Sequence, residues 1–185
     1  METEDLVRRT LQDDPMFVFI QPDDARRRRL LGWYVPALLK LLRAKGRVDV
    51  APGPAAALWV PPAAKVRPPL ISRVDLVTAP FRLGLSATQR AMEFAAAVDE
   101  ASRGSAADAW LLVHVSVEPD RRARGLAAGV MKRTLDEADA ADQRAFVAAT
   151  SEPAVGFLTT QGFEVEHHLR VEGLPQFWTM VRSPL

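Results

Sequence analysis

The residues best placed to do chemistry in this sequence lie between Val113 and Met131. Val113 to Val117 is a run rich in β-branched residues, which favours a pleated strand. Pro119 breaks the run, Arg121, Arg122 and Arg124 make a basic turn, and from Gly125 the spacing becomes helical. A strand, a tight turn and a helix start leave several backbone N–H groups unpaired and aimed at one point, with the positive end of the helix dipole behind them. The chemistry this offers is anion binding, centred on Arg122 to Ala127. Gly125 lets the backbone approach an anion, Ala127 keeps the first helical turn narrow, and Arg122 and Arg124 add charge.

Groups for proton chemistry are scarcer. The chain has no cysteine, which excludes disulfides, thiolate nucleophiles and Cys-ligated zinc, and its three histidines leave no basis for a metal site. His114, the weak candidate for a catalytic role, lies on the central strand in opposite phase from Val113 and Val115. It is read as a core or second-face histidine unless a bulge re-aims it. Glu118, at the strand end, is expected to be solvated. His167 and His168 are adjacent on a later strand and point to opposite faces. Tyr34 is the only tyrosine, beside Trp33 on a predicted helix, and Thr150 and Ser151 offer hydroxyls.

Elements must hold these residues in place. The 185 residues suit a single domain, 48% of them are hydrophobic, and the formal charge is +1. That balance gives no global field for nucleic acid or anionic membrane. No segment has the length of a membrane span, and the N-terminus lacks a signal-peptide pattern, so a cytoplasmic protein is expected.

A first helix is expected to end before Pro15, and Met16–Ile20 is too short to assign. Asp23 or Asp24 caps a helix over 25–45, whose face is Leu31, Val35, Leu38 and Leu42. Gly46 closes it, and Pro36 is expected to kink or divide it. The Arg26–Arg29 run points in four directions on a helix, so it is read as a solvated end, not a phosphate track.

Val48–Ala51 and Ala55–Val60 suggest a hairpin, followed by a proline-rich connection from Pro61 to Pro80. Ser86 and Gln89 suggest a capping box before a helix bearing Phe94, Val98 and Ala101. Strand Trp110–Val117 and a helix with the stripe Ala127, Met131, Leu135, Ala138 come next. Strand Arg144–Ala149, a short helix over Pro153–Thr160, and strands Phe163–Val171 and Phe177–Arg182 complete the chain. The fold class expected is α/β, a mixed and mostly antiparallel central sheet flanked by helices.

Arg122-x-x-Gly125-x-Ala127, set between a strand and a helix, resembles the acyl-CoA-binding motif of the GNAT-type N-acetyltransferases. The preceding Val117-x-Pro119, the following strand Phe146-Val147-Ala148, and Gly162-Phe163 strengthen the resemblance. It implies one GNAT-like domain over 1–185, with acceptor-side helices and hairpin in about 1–105 and the acetyl-CoA-binding part in 109–185. It implies that backbone groups of Val115 and Val117 pair with the pantetheine arm. The N–H groups across Arg122, Ala123, Arg124, Gly125, Leu126 and Ala127 would hold the pyrophosphate. The partners implied are acetyl-CoA as cosubstrate and a small-molecule amine, with no nucleic acid and no membrane.

The sequence also departs from the family pattern. Leu158 stands where several members place a tyrosine, Ala154 where an asparagine is common, and Leu111 and Val113 where strand bases fall. Ala148 is apolar where a further glutamate can stand. Helix-like sequence begins where the family opens with a strand, so either the sheet lacks that edge strand or the chosen start is late. A missing edge would leave backbone groups for Met16–Ile20 or a second subunit to cover, which favours a homodimer. An acceptor wall of Trp33, Val35, Leu38 and Trp59 favours a partly hydrophobic amine, with His167 or His168 at its border. Two functions follow: N-acetyl transfer by direct attack on the thioester, or a degenerate relative that binds acyl-CoA without efficient turnover.

Overall fold

Helix α1 (Thr3–Gln12) buries Leu6, Val7 and Leu11 and stops where Asp14 caps a second, six-residue helix, α2 (Pro15–Ile20), with Pro15 in its first turn. Proline at that position loses only an N–H that would be unpaired anyway. The computed structural model describes residues 3–51, 54–62, 64, 84–118, 120 and 125–185. The unassigned Met16–Ile20 run is therefore helical. It packs among α1, α3 and α4 (Leu85–Ala101), not on a sheet edge as expected.

Helix α3 (Asp24–Lys45) is capped by Asp23, whose carboxylate accepts from the Arg26 N–H at 2.7 Å. It runs undivided through Pro36. A proline at 36 withdraws the N–H that would bond the carbonyl of residue 32. Residue 32 is glycine, and its carbonyl accepts from Arg8 of α1 at 3.4 Å. Leu31, Val35, Leu38 and Leu42 are all buried, as their spacing predicts. Gly46 ends the helix in extended backbone, so it is required by space, not by conformation. A Cβ there would lie 2.6 Å from the Trp59 carbonyl oxygen and 2.8 Å from Leu42 Cδ2.

One of the four arginines expected in solvent is buried. Arg27 donates to the carbonyls of Gln12, Gln21 and Pro22 at 2.6, 2.8 and 3.0 Å, and so fastens the ends of α1 and α2 to α3. Arg28 pairs with Asp24. The helix starting at Leu85 is also capped differently from expectation: Gly84, in the left-handed region at φ 82°, is its N-cap, and no side chain caps it.

The sheet has six strands in the order β1-β2-β3-β4-β6-β5. These are β1 (Arg47–Val50), β2 (Ala55–Val60), β3 (Trp110–Val117), β4 (Ala145–Ala149), β5 (Glu164–Leu169) and β6 (Phe177–Arg182). Every neighbouring pair is antiparallel except β3 and β4. Among the described residues no strand precedes α1, and β1 forms the edge. Its Arg47 and Asp49 are engaged by Glu137 and Thr134 of α5 (Leu126–Ala140). The first helices and α4 pack on one face through Leu58, Val60 and Ala91. Helices α5 and α6 (Glu152–Thr160) pack on the other through Trp59, Leu112, Met131 and Leu158. Strand β2 is buried along its whole length, which its small and apolar residues allow.

Most of the proline-rich connection predicted from Pro61 to Pro80 lies outside the described residues. No helix among the described residues is long and apolar enough to cross a membrane.

Candidate active site

The two parallel strands part company. Pairing between β3 and β4 runs from Trp110–Ala145 to Leu112–Val147 and stops there, so Val113–Val117 has no partner on the β4 side among the described residues. On the β2 side the register skips: Leu58 faces His114 while Trp59 faces Leu112. Val113 is thus an extra residue, and a bulge of this kind turns neighbouring side chains to one face. Val113 and His114 both face the α1 side, whereas Val115 and Val117 pack on the α5 side. The bulge re-aims His114.

Backbone direction follows from one bond. The Glu118 N–H donates to the Pro54 carbonyl at 3.0 Å, so the polar backbone groups of residues 118 and 116 point to the hairpin. Alternation along a strand then turns the N–H and C=O of Val115 and Val117 toward the open side. Helix α5 begins beside this gap. Gly125 is its N-cap at φ 72°, without a side-chain cap. The first backbone bond inside α5 runs from the Gly129 N–H to the Gly125 carbonyl, which leaves the N–H groups of Leu126, Ala127 and Ala128 without intrahelical partners. Arg122, Ala123 and Arg124 lie outside the described residues.

A cavity of about 1530 Å³ connects these features. Its lining includes Val113–Val115, Val117 and Gly125–Ala128, and it continues past Ala148–Ser151 to Thr10, Asp14, Phe17, Tyr34 and Leu38. The acceptor wall differs from the one expected. Leu38 lines it, but Val35 and Trp59 are fully buried in the two cores, and Trp33 packs on the helical core. Their apolar spacing marked burial and carried no signal of which face a cavity would open on. His167 and His168 do not line it either: both are exposed, and His168 stacks on Trp178 with ring centroids 4.4 Å apart. Glu118 is not free in solvent, since Arg9 of α1 pairs with it at 2.8 Å.

Titratable groups lining the cavity include His114, Asp14, Tyr34, Asp99 and Arg103. His114 shares a 3.0 Å hydrogen bond between Nε2 and the Thr10 hydroxyl, which also lies 2.9 Å from the Ser116 hydroxyl. Loss of solvent around the ring pushes its pKa down to about 4, so the imidazole is neutral at pH 7. Asp14 joins α1 to α2. One carboxylate oxygen accepts the Met16 N–H at 2.9 Å, and the other accepts the Thr150 hydroxyl at 3.0 Å. Burial pushes this carboxyl above its ordinary value, against the opposing bonds from Thr150, Met16 and Phe17. Tyr34 packs its ring at a tilt against Phe17, with centroids 5.3 Å apart, and burial together with the nearby Asp14 charge keeps its phenol protonated.

Of the vacant family positions, Leu158 is buried in the core, and Leu111 and Val113 pack on the helical core. Ser151 caps α6, and Thr150 is engaged by Asp14. Sequence reasoning did not single out Asp14. Its only local signal is an aspartate directly before a proline, a common helix-start pattern.

No family model matches the sequence. The fold is shared with solved acetyltransferases. Arylalkylamine N-acetyltransferase 2 from Aedes aegypti superimposes with a TM-score of 0.65 at 14% identity, over 97% of this chain and 94% of that one. A Drosophila melanogaster polyamine N-acetyltransferase that forms N-acetylagmatine gives 0.59 at 14% identity, over 97% and 94%. A Corynebacterium glutamicum acetyltransferase related to histone acetyltransferase HPA2 gives 0.55 at 14% identity, over 98% and 89%. The mixed, mostly antiparallel sheet flanked by helices that was expected is the fold found, and these solved acetyltransferases share it.

Proposed function

We propose that the chain is an acetyl-CoA-dependent N-acetyltransferase acting on a small, partly hydrophobic amine. The observation that carries this reading is the gap between β3 and β4, faced by unpaired backbone groups of a strand and of an uncapped helix start. Backbone groups of Val115 and Val117 suit the amide-bearing pantetheine arm. Those of Gly125, Leu126 and Ala127, with Arg122, Ala123 and Arg124 beside them, suit the pyrophosphate. Acetyl-CoA supplies the activated acyl group when bound. The chain's share is to hold the thioester along β3, to polarise its carbonyl with a backbone N–H near Val117, and to exclude water. The apolar lining from Met16, Phe17, Leu38 and Val60 favours an amine on a hydrophobic body. Similarity of the stretch from Trp110 to Arg182 to puromycin N-acetyltransferase supports the same class.

One observation favours a second reading, acyl-CoA binding without efficient turnover. Leu158, in the place where several relatives carry a thiolate-protonating tyrosine, is buried at 2% exposure and has no proton to give. Calorimetric titration with acetyl-CoA, followed by a free-thiol assay across a broad amine panel, separates the two. Acetyl-CoA binding with amine-dependent thiol release is the expected result. Binding with silence across the panel selects the second reading, and no binding removes both.

A further inference from the structure

We propose that Nδ1 of His114 is a specificity-determining hydrogen-bond acceptor in the amine chamber, selecting acceptors that carry a hydroxyl or N–H donor on the body beyond the reacting nitrogen. This rests on the acetyltransferase reading. His114 lines the cavity together with Thr10, Leu11, Phe17 and Leu38. The bulge at Val113 turns its ring to the α1 side, where Thr10 meets Nε2 at 3.0 Å. Nδ1 has no hydrogen-bond partner among the described residues, yet it is not sealed from solvent. The space it opens on is the cavity that the ring borders.

Proton counting decides which ring nitrogen carries the hydrogen. The Thr10 hydroxyl lies 3.1 Å from the carbonyl oxygens of both Leu6 and Val7. Those oxygens have no proton to give, so the single Thr10 proton goes to them, as helical threonine hydroxyls commonly do. Thr10 Oγ1 is then an acceptor toward its other neighbours. The fully buried Ser116 hydroxyl, 2.9 Å away and with no other partner among the described residues, donates to it. The Nε2–H of His114 fills the remaining place. Had Thr10 turned its proton to Nε2, both carbonyl contacts would set lone pair against lone pair. A neutral imidazole with its hydrogen on Nε2 has a bare lone pair on Nδ1, and loss of solvent holds the ring neutral at pH 7. The polar neighbours leave that lone pair alone. Asp14 accepts the Met16 N–H and the Thr150 hydroxyl, and no hydrogen bond joins Tyr34 to the ring.

An apolar chamber with one fixed acceptor discriminates in one direction. A donor on the incoming amine pairs with Nδ1, whereas an amine without one drives out water and leaves a desolvated lone pair unpaired. An ether oxygen at the same place is worse than carbon-bound hydrogen, because two lone pairs then meet. The class selected is therefore amines whose hydrophobic body carries a hydroxyl or amide N–H. Thr10 sets the ring's direction, and the neighbouring Arg9–Glu118 pair at 2.8 Å fastens the same turn of α1 to the end of β3.

The test follows thiol release with 2-phenylethylamine, with its analogues hydroxylated on the ring or the side chain, and with the matching methyl ethers. At least one hydroxylated analogue should exceed the unsubstituted amine by roughly 10-fold in kcat/KM, mainly through KM, and its ether should fall below both. Two variants separate the acceptor from the anchor. The longer amide of His114→Gln reaches the Nε2 position, so it keeps the Thr10 bond and loses Nδ1; the preference should fall to within about twofold of none. The shorter amide of His114→Asn places its oxygen near the Nδ1 position and gives up Thr10. It should keep most of the preference while its unfolding midpoint falls. A ring that only anchors α1 gives the reverse, with the preference kept by glutamine and lost by asparagine, and that result overturns the proposal. Nitrogen NMR of the parent should show Nδ1 without hydrogen, and its resonance should move when the preferred analogue binds the CoA-loaded protein; hydrogen on Nδ1 overturns the proposal. Equal kcat/KM across the series also overturns it and leaves the acetyltransferase reading standing. A parent that binds acetyl-CoA and releases no thiol with any amine overturns both.

Discussion

Replacing Gly125 by valine separates the cofactor grip from the fold. Gly125 has φ 72° and ψ 2° at the N-cap of α5, and a Cβ built there meets no atom within 4 Å. The fold penalty is therefore backbone strain alone, about 1–2 kcal/mol for an L-residue in the left-handed region, at the upper end for a β-branched one. Against a net stability of about 5–15 kcal/mol, the variant stays folded, and its Tm falls by about 2–8 °C.

Binding responds more strongly. Relief of the strain rotates the adjoining peptide planes and turns the N–H groups of Leu126 and Ala127 off their common target. Hydrogen bonds to a charged partner contribute roughly 1.5–3 kcal/mol each, and water replaces part of what two of them lose. A deficit of about 2–4 kcal/mol remains, or about 30- to 700-fold in Kd. Gly125→Asn, which tolerates the left-handed region, should fall between parent and valine variant. Gly129→Ala is the control in the same helix: its Cβ also meets nothing, so it should stabilise by about 0.5–1 kcal/mol and leave affinity unchanged. Calorimetry with CoA and thermal unfolding by circular dichroism read both quantities. A folded valine variant that binds CoA within about threefold of the parent would refute the assignment of the pyrophosphate to this turn.

Other consequences concern the frame around the site. Arg182, its side chain 5% exposed, holds Asp139 through two bonds of 2.6 and 2.8 Å and the Gln161 carbonyl at 3.1 Å. Arg182→Met should cost about 2–4 kcal/mol at pH 7 in urea unfolding. Hydrogen bonding to Arg182 lowers the Asp139 carboxyl, so this stability is present above the unfolded carboxylate value and is lost as pH falls through the folded one. The deficit should shrink at pH 3, and equal deficits at pH 7 and pH 3 would remove Asp139 from the account. Gly46→Ala should cost about 1–3 kcal/mol through the contact with the Trp59 carbonyl, and a change below about 0.5 kcal/mol would show that the helix end shifts freely. His114 should titrate near pH 4 by NMR. Its folded pKa lies below the unfolded value, so its contribution is whole above about pH 6.5 and drains away toward the folded pKa. His114→Gln should flatten stability over that window; an unchanged slope would place the ring in water.

The order of helices and strands was legible because apolar spacing and turn residues act locally. The β3 bounds, the hairpin and the α3 stripe follow from residues within a few positions of each other. What escaped depends on distant partners. Gly46 stands at the helix end for want of room beneath Trp59, not for a left-handed turn. Arg27 looked like its three neighbours until the carbonyls of Gln12 and Gln21 were brought over it. Ser86 and Gln89 matched a capping pattern, yet the N-cap stands two residues earlier, at Gly84. The bulge at Val113 is one residue of register against β2, and that single residue decides the direction of His114. Asp14 is bound to Thr150 across 136 positions, a pairing that only the assembled fold reveals.

The same distinction bears on the vacancies at Leu158, Ala154, Leu111 and Val113. A thioester and a pyrophosphate can be held by backbone N–H groups, whose direction depends on strand register and helix start and only weakly on side-chain type. That part of a site survives wide sequence change. A proton acceptor needs a particular side chain, but not a particular address: it needs to reach the attacking nitrogen. In this fold the cavity is walled by β3 and β4 on one side and by α1, α2 and α3 on the other. An empty position on the strands therefore counts against catalysis only when the helical wall is empty too. Here that wall carries the Asp14 carboxylate, held at one oxygen by the Met16 N–H and at the other by the Thr150 hydroxyl. Transfer then requires no acid from Leu158, because a CoA thiolate is a competent leaving group at neutral pH and the amine brings the proton it needs.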